Sequence, residues 1–227
     1  MKLFKYFTKN ELLLWFISAS IIIITFIFFA QTNYLTLAAS LIGVTSLIFN
    51  AKGNPFGQLL MIIFSLLYGV ISYSFSYYGE MITYLGMTAP MALFALVSWL
   101  KNPYKGKKSE VKVNNIKKKD ILFMIISSLI TTIIFYFILK YFNTPSLLIS
   151  TLSITTSFVA AYLTYKRSPF FALAYACNDI VLIILWIIAT ITNITYISIT
   201  TCFIIFFFND IYGYINWKRL QRKQSNK

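Results

Sequence analysis

Residues 178–186 read NDIVLIILW and residues 209–217 read NDIYGYINW: Asn-Asp-Ile, five residues, then Trp, each set in strongly apolar sequence. On insertion scales a charged side chain at the centre of a membrane helix costs about 2.5–3.5 kcal/mol, so Asp179 and Asp210 should face a cavity or a partner. Seven residues make nearly two helical turns, which puts Asp179 and Trp186 on one face and Asp210 and Trp217 on another. Tyr175, four residues before Asp179, joins the first face, and Gly213 keeps the second open beside Asp210. Carboxylates attract a cation, the amides of Asn178 and Asn209 read amide or hydroxyl groups, and the faces of Trp186 and Tyr175 hold a flat or cationic ring. No Lys or Arg stands at that depth, so a phosphate would be poorly matched. The predicted ligand is an uncharged or cationic small molecule with a ring and hydroxyls. Two blander readings stand beside this one: polar side chains can glue membrane helices together, and Trp217 suits an aromatic belt at the membrane boundary.

The elements that carry these residues are membrane spans. The 227 residues are 59% hydrophobic and only 11% charged. Apolar runs near 12–30, 34–50, 57–78, 81–100, 121–142, 146–165, 169–190 and 194–217 predict an all-α integral membrane protein of about eight transmembrane helices. The first run is expected to stay as a helix, because it lacks the small-residue cleavage site of a signal peptide. Placing the N-terminus inside gathers 19 of the 20 Lys and Arg residues on one side. Lys140, on the other side, sits at a helix end where it can snorkel. Both termini are then cytoplasmic, and the basic loop 101–119 is expected to be a solvated connection that holds topology. The net charge of +14 lies in loops beside spans rather than on a separate domain, which argues against nucleic acid as a partner and leaves lipid. Cys177 and Cys202 read as small hydrophobes in helix packing. Without any His, metal ligation and acid–base relays through imidazole are removed. No metal site or cofactor is expected, and no phosphate-cradling nucleotide loop is present. A membrane enzyme using the two Asp as acid and base is the competing class, but the reading is a transporter.

KGNPF at 52–56 and KRSPF at 166–170 suggest an internal repeat, since each opens two spans, the second ending in Trp beside a basic segment, SWLKN at 98–102 and NWKRL at 216–220. The expected organisation is an N-terminal tail and extra helix over 1–33, a three-helix repeat over 34–100, a basic loop and linker helix over 101–145, a second parallel three-helix repeat over 146–217, and a basic tail over 218–227. Repeats of this kind are a transporter architecture with the site between halves near mid-membrane.

YYGEMITYLGMTAPMALFALVSWLKNPYKGKKSEVKV at 77–113, RSPFFALAYACNDIVLIILW at 167–186 and NDIYGYINWKR at 209–219 resemble the PnuC family of nicotinamide riboside transporters, itself similar in architecture to the SWEET sugar transporters. The resemblance covers about residues 34–220. It implies uptake of nicotinamide riboside across the plasma membrane of a bacterium by facilitated diffusion, made one-way by a cytosolic nicotinamide riboside kinase, and it implies a homotrimer. Related carriers take thiamine, riboflavin or deoxynucleosides, and proton coupling stays open as an alternative. Many members carry a Trp pair at the start of the seventh span; here Phe171 and Ala174 stand there, leaving Phe170, Phe171 and Tyr175 as substitutes. In the first half, Phe64 and Met91 occupy the positions that match Asn178 and Asn209, so polar recognition should concentrate in the second half.

Overall fold

The computed structural model describes residues 6–29, 33–74 and 77–226. Among these, eight helices are long and apolar enough to cross a membrane. They are α1 (Lys9–Phe29), α2 (Tyr34–Ala51), α3 (Phe56–Ser74), a fourth span made of α4 (Tyr78–Thr83), a π-helical turn (Tyr84–Thr88) and α5 (Ala89–Lys101), then α6 (Lys118–Tyr141), α7 (Leu147–Tyr165), α8 (Phe171–Thr192) and α9 (Ile197–Ser225). Local chemistry sets their ends. The Asn33 side chain caps α2 by accepting from the Thr36 N–H at 3.1 Å. Pro55 and Pro169 stand just before α3 and α8, where a missing N–H does little harm. Pro90 cannot donate to the helical ladder and its ring crowds the preceding turn, which accounts for the widened turn directly ahead of it.

Three expected boundaries differ. The third span stops at Ser74 rather than 78, and the fourth starts at Tyr78 rather than 81, which draws Gly79 and Glu80 into the helix. The final helix runs on to Ser225, so residues 218–225 are helical rather than a free basic tail. Its last turns are held by side chains, as described below, instead of fraying into solvent.

Two groups of three spans make the body: α2, α3 and α5 pack in sequence, as do α7, α8 and α9. The groups meet at two places, α2 on α9 and α5 on α7. Helix α1 lies on α2 and α9, and α6 leans on α7. Apart from that seam α6 shows Leu122, Phe123, Leu129, Ile133 and Phe137 on its outside, as a lipid-facing helix should.

The turns entering α3 and α8 share a backbone. Lys52 and Lys166 are right-handed, and the next residues, Gly53 (φ 67°) and Arg167 (φ 56°), are left-handed. Two Trp close this side reciprocally. Trp217 Nε1 donates to the Asn50 carbonyl at 2.8 Å, and Trp99 Nε1 donates to the Thr164 carbonyl at 2.9 Å. Asn50 and Thr164 each stand two residues before the turn Lys, at helix ends whose carbonyls lack helical partners. The expectation of Trp217 as a boundary residue is therefore corrected: it is fully buried against Trp99, with ring centres 5.3 Å apart.

The basic loop keeps Lys101, Lys105, Lys107 and Lys108 exposed and is ordered as well. It folds into a short antiparallel hairpin, β1 (Pro103–Tyr104) with β2 (Lys107–Val111), and a strap that follows it. The Val111 N–H donates to the Gly53 carbonyl at 2.9 Å and the Asn114 N–H to the Arg167 carbonyl at 3.0 Å, so one strap ties both left-handed turns. Gln224 on the extended α9 accepts from the Val113 N–H at 2.8 Å and donates to the Val111 carbonyl at 3.1 Å. The apolar anchor is Val111, fully buried in the cluster with Trp99 and Trp217. Its signature in sequence is the alternation of Val111 and Val113 with Lys, a strand pattern within a basic run.

Candidate functional site

Between the two groups of helices lies a cavity of about 40 Å³. Its polar wall comes from Tyr175, Asn178 and Asp179 on α8, Asp210 on α9, Ser157 on α7 and Thr88 in the π turn. Its apolar wall is Met61 and Phe64 on α3, Tyr84 in the π turn, Leu182 on α8, and Phe203 and Phe206 on α9. The Asn178 carbonyl oxygen accepts from Thr156 Oγ1 at 2.8 Å and Ser157 Oγ at 2.9 Å, which fixes the amide to α7. Asp179 lies eight residues into α8, roughly 12 Å along its axis, and Asp210 lies seven residues before Trp217, roughly 10 Å from the Trp clamp. The two carboxyls meet at this shared level, close enough to interact directly.

Electrostatics separate the six acidic residues of the chain into two sets. Glu11 pairs with Lys52 at 3.0 Å, Asp120 with Lys166 at 2.8 Å and Glu110 with Lys223 at 3.5 Å. Each of these lies toward the basic side, and hydrogen bonding to Asp120 raises the Lys166 pKa. Glu80, Asp179 and Asp210 are 1%, 3% and 5% exposed and have no Lys or Arg partner among the described residues. One oxygen of Glu80 and one of Asp179 make no hydrogen bond at all. An uncompensated buried carboxylate is strongly unfavourable, so these three are the groups that call for a cationic or hydrogen-bonding guest.

Four of the eight residues expected at the site, Tyr175, Asn178, Asp179 and Asp210, line this cavity. The other four stand elsewhere. Asn209 turns away, donating from Nδ2 to Ser18 Oγ of α1 at 3.0 Å and to the Ile205 carbonyl at 2.9 Å. Adjacent helical residues point about 100° apart, so Asp210 on the cavity leaves Asn209 on a neighbouring face. Phe171 and Trp217 pack together at 4.8 Å in the clamp on the basic side, with Trp99 against both. Trp186 is fully buried on the opposite side of the cavity, beside Tyr77 at 5.2 Å, Tyr196 at 5.7 Å and Tyr68 at 6.3 Å. In the first group, Tyr68 packs tilted against the cavity wall residue Tyr84, with ring centres 4.3 Å apart, whereas the Gln58 amide donates to the Asn50 side chain and the Thr83 hydroxyl to the Gly79 carbonyl.

Sequence reasoning missed Glu80, Tyr84, Thr88 and Ser157. The first three depend on the π turn and on a span boundary drawn three residues late. Ser157 lies in a run of Ser and Thr with no periodic cue. Gly43 on α2 is a further hidden contributor: a Cβ there would run into the Phe206 ring and stand 3.1 Å from Phe64. The absence of a side chain is what lets Phe206 sit against the cavity.

Residues 33–219 match the family model described as nicotinamide mononucleotide transporter. The chain belongs to the nicotinamide mononucleotide transporter family. A relative in that family, the nicotinamide riboside transporter PnuC of Neisseria mucosa, is 25% identical over 203 residues, which are 88% of this chain and 77% of the relative. The crystal structure of the vitamin B3 transporter PnuC overlays with a TM-score of 0.83 at 24% identity, covering 96% of this chain and 94% of that one. That likeness speaks to fold, and with the family match it makes the chain a multi-pass membrane transporter. Ligand pockets usually run to about 300–1,000 Å³, so a transporter of this family must move its aromatic wall before a nucleoside-sized solute fits the cavity seen here.

Proposed function

We propose that the protein takes up nicotinamide riboside by facilitated diffusion across a bacterial plasma membrane, with both termini in the cytoplasm. The observation that carries this reading is the pair of buried carboxyls, Asp179 and Asp210, without a basic partner and beside an amide and aromatic rings. Nicotinamide riboside is a ring cation with an amide and ribose hydroxyls. The mononucleotide adds a phosphate, and no Lys or Arg lines the cavity to receive it. The name of the Neisseria mucosa relative agrees with the riboside.

The solute passes unchanged, and a cytosolic kinase that phosphorylates it keeps it inside. Residues 34–100 and 146–217 act as two parallel repeats that rock about the cavity, flanked by an N-terminal tail and first helix within 1–33, a basic loop and linker helix over 101–145 and a basic cytoplasmic tail over 218–227. Supporting this division are the matched left-handed turns and the reciprocal Trp bonds. The homotrimer rests on the family resemblance. A proton-coupled carrier is the second reading, favoured by the three buried carboxyls that have no basic partner among the described residues.

The test is uptake into proteoliposomes of nicotinamide riboside, thiamine, riboflavin and deyoxyuridine in parallel, with and without an imposed pH gradient. Uptake of nicotinamide riboside alone, indifferent to the gradient, is expected. Uptake of another solute in its place would move the protein to a sister specificity, and strict dependence on the gradient would establish proton coupling.

A further inference from the structure

Among the described residues Glu80 is the one buried carboxylate without a basic partner that does not line the cavity. It sits in α4, one turn ahead of the π turn, and its Oε2 makes no hydrogen bond. Its electrostatic neighbours are Tyr68, Tyr77 and Tyr84. Tyr84 is shared, because it also feels Asp179 and lines the cavity. Two more buried polar atoms in the same neighbourhood, the Tyr68 hydroxyl and Trp186 Nε1, interact with each other and have no other partner. Beyond Tyr77 opens a second pocket, of about 280 Å³, between Pro145, Ser146 and the far end of α8 at Thr192. This pocket faces away from the basic side, since it lies at the start of α7 and the end of α8.

The order along the membrane is therefore an outer pocket, the Tyr77 ring against Trp186, then Glu80 with Tyr68, then Tyr84, then Asp179 and Asp210. At the middle of that row Glu80 Oε2 is buried and unpartnered, with the Tyr68 hydroxyl and Trp186 beside it. The walls are aromatic, which suits a ring cation. A π turn is a rare element often found at functional sites, and here it lies between the two acidic stations.

We propose that Glu80, with the Tyr68 hydroxyl and Trp186, forms a second binding station for a flat organic monocation, occupied in transit between the outer pocket and the carboxyl pair. It rests on the reading that the transported solute is cationic. Glu80 supplies the counter-charge, Tyr68 donates to a hydroxyl or amide of the solute, and Trp186 offers its ring face. The station lets the cation leave water before the central site opens, so it governs rate rather than final affinity.

The experiment compares wild type, Glu80→Gln and Asp179→Asn, each purified and monodisperse, by calorimetric binding and by initial uptake into proteoliposomes. Nicotinamide riboside serves as the cationic probe, thiamine as a cation that the wild type is not expected to carry, and deoxyuridine as a neutral solute. Losing one charge-assisted contact is worth about tenfold or more. Glu80→Gln is expected to keep equilibrium binding within about threefold while uptake of the cation falls about tenfold. Asp179→Asn should lose both. Wild-type cation uptake by Glu80→Gln would overturn the station while leaving the substrate reading intact. Loss of binding equal to that of Asp179→Asn would instead fold Glu80 into a single central site. A wild type that moves deoxyuridine and neither cation would sink the cationic reading itself, and the station with it. Should Glu80→Gln fail to purify, Glu80→Asp keeps the charge on a shorter arm, and its uptake should lie between wild type and background; unaltered uptake there, with Tyr68→Phe also unaltered, overturns the proposal.

Discussion

The two three-helix groups share a turn and a Trp bond on the basic side and carry different chemistry at the cavity. On the basic side each contributes a Lys, a left-handed residue, a Pro-led helix start and a Trp that bonds the other group's first helix. At the level of the cavity their chemistry differs. Counting from the matched Lys52 and Lys166, Ser65 stands where Asp179 does; counting from Trp99 and Trp217, Ala92 stands where Asp210 does. Phe64 and Met91 likewise replace the two Asn. One group supplies the carboxyls and the other supplies an aromatic wall of Phe64 and Tyr84. Backbone geometry constrains the frame, since both groups must close against each other. A binding site needs only one charged wall, so the other is free to become apolar.

That contrast is sharpest under substitution. Asp179→Asn should weaken nicotinamide riboside binding about tenfold to hundredfold, because a contact to a charged group is lost. Its counterpart Ser65→Ala should change binding less than about twofold, and equal losses would break the asymmetry. Next in size is Gly43→Ala, which pushes Phe206 toward the cavity. Overpacking of this kind costs about 1–3 kcal/mol, visible as a lower thermal midpoint in detergent together with weaker binding. Trp99→Phe and Trp217→Phe each remove one buried hydrogen bond, about 1 kcal/mol. Their thermal shifts should match; a large inequality would mean the clamp is not reciprocal. The smallest effect is expected for Gln224→Ala, which loosens the strap from α9 and should show as faster proteolysis of the hairpin with binding unchanged.

Much of the frame could be read from composition. Long apolar runs, the bias of Lys and Arg and the two K-x-x-P-F turns located the spans because bilayer thickness and unsatisfied backbone leave few alternatives. The strap was missed because its Val111 and Val113 are two apolar positions in a run dominated by Lys, and only the turns they bind make them a strand. Within the site, Asp179 and Asp210 stood out as charges in apolar sequence. Glu80 is the same kind of residue, but a fourth span drawn from 81 left it in a connection. Asn209 and Trp217 had the right types and spacing for a ligand; the Asn209 amide N–H is taken by Ser18 and the Trp217 indole N–H by the Asn50 carbonyl, while Asn209 Oδ1 is buried without a hydrogen bond. Seven-residue spacing identifies a shared face without saying what that face meets.

The most direct test of the central claim is a calorimetric titration of the purified protein with nicotinamide riboside and with nicotinamide mononucleotide, which differ by one phosphate. A cavity with two carboxyls and no basic side chain predicts binding of the riboside and a mononucleotide affinity at least about a hundredfold lower. Equal or tighter binding of the mononucleotide would contradict the account, because it would require a basic group that the cavity does not contain.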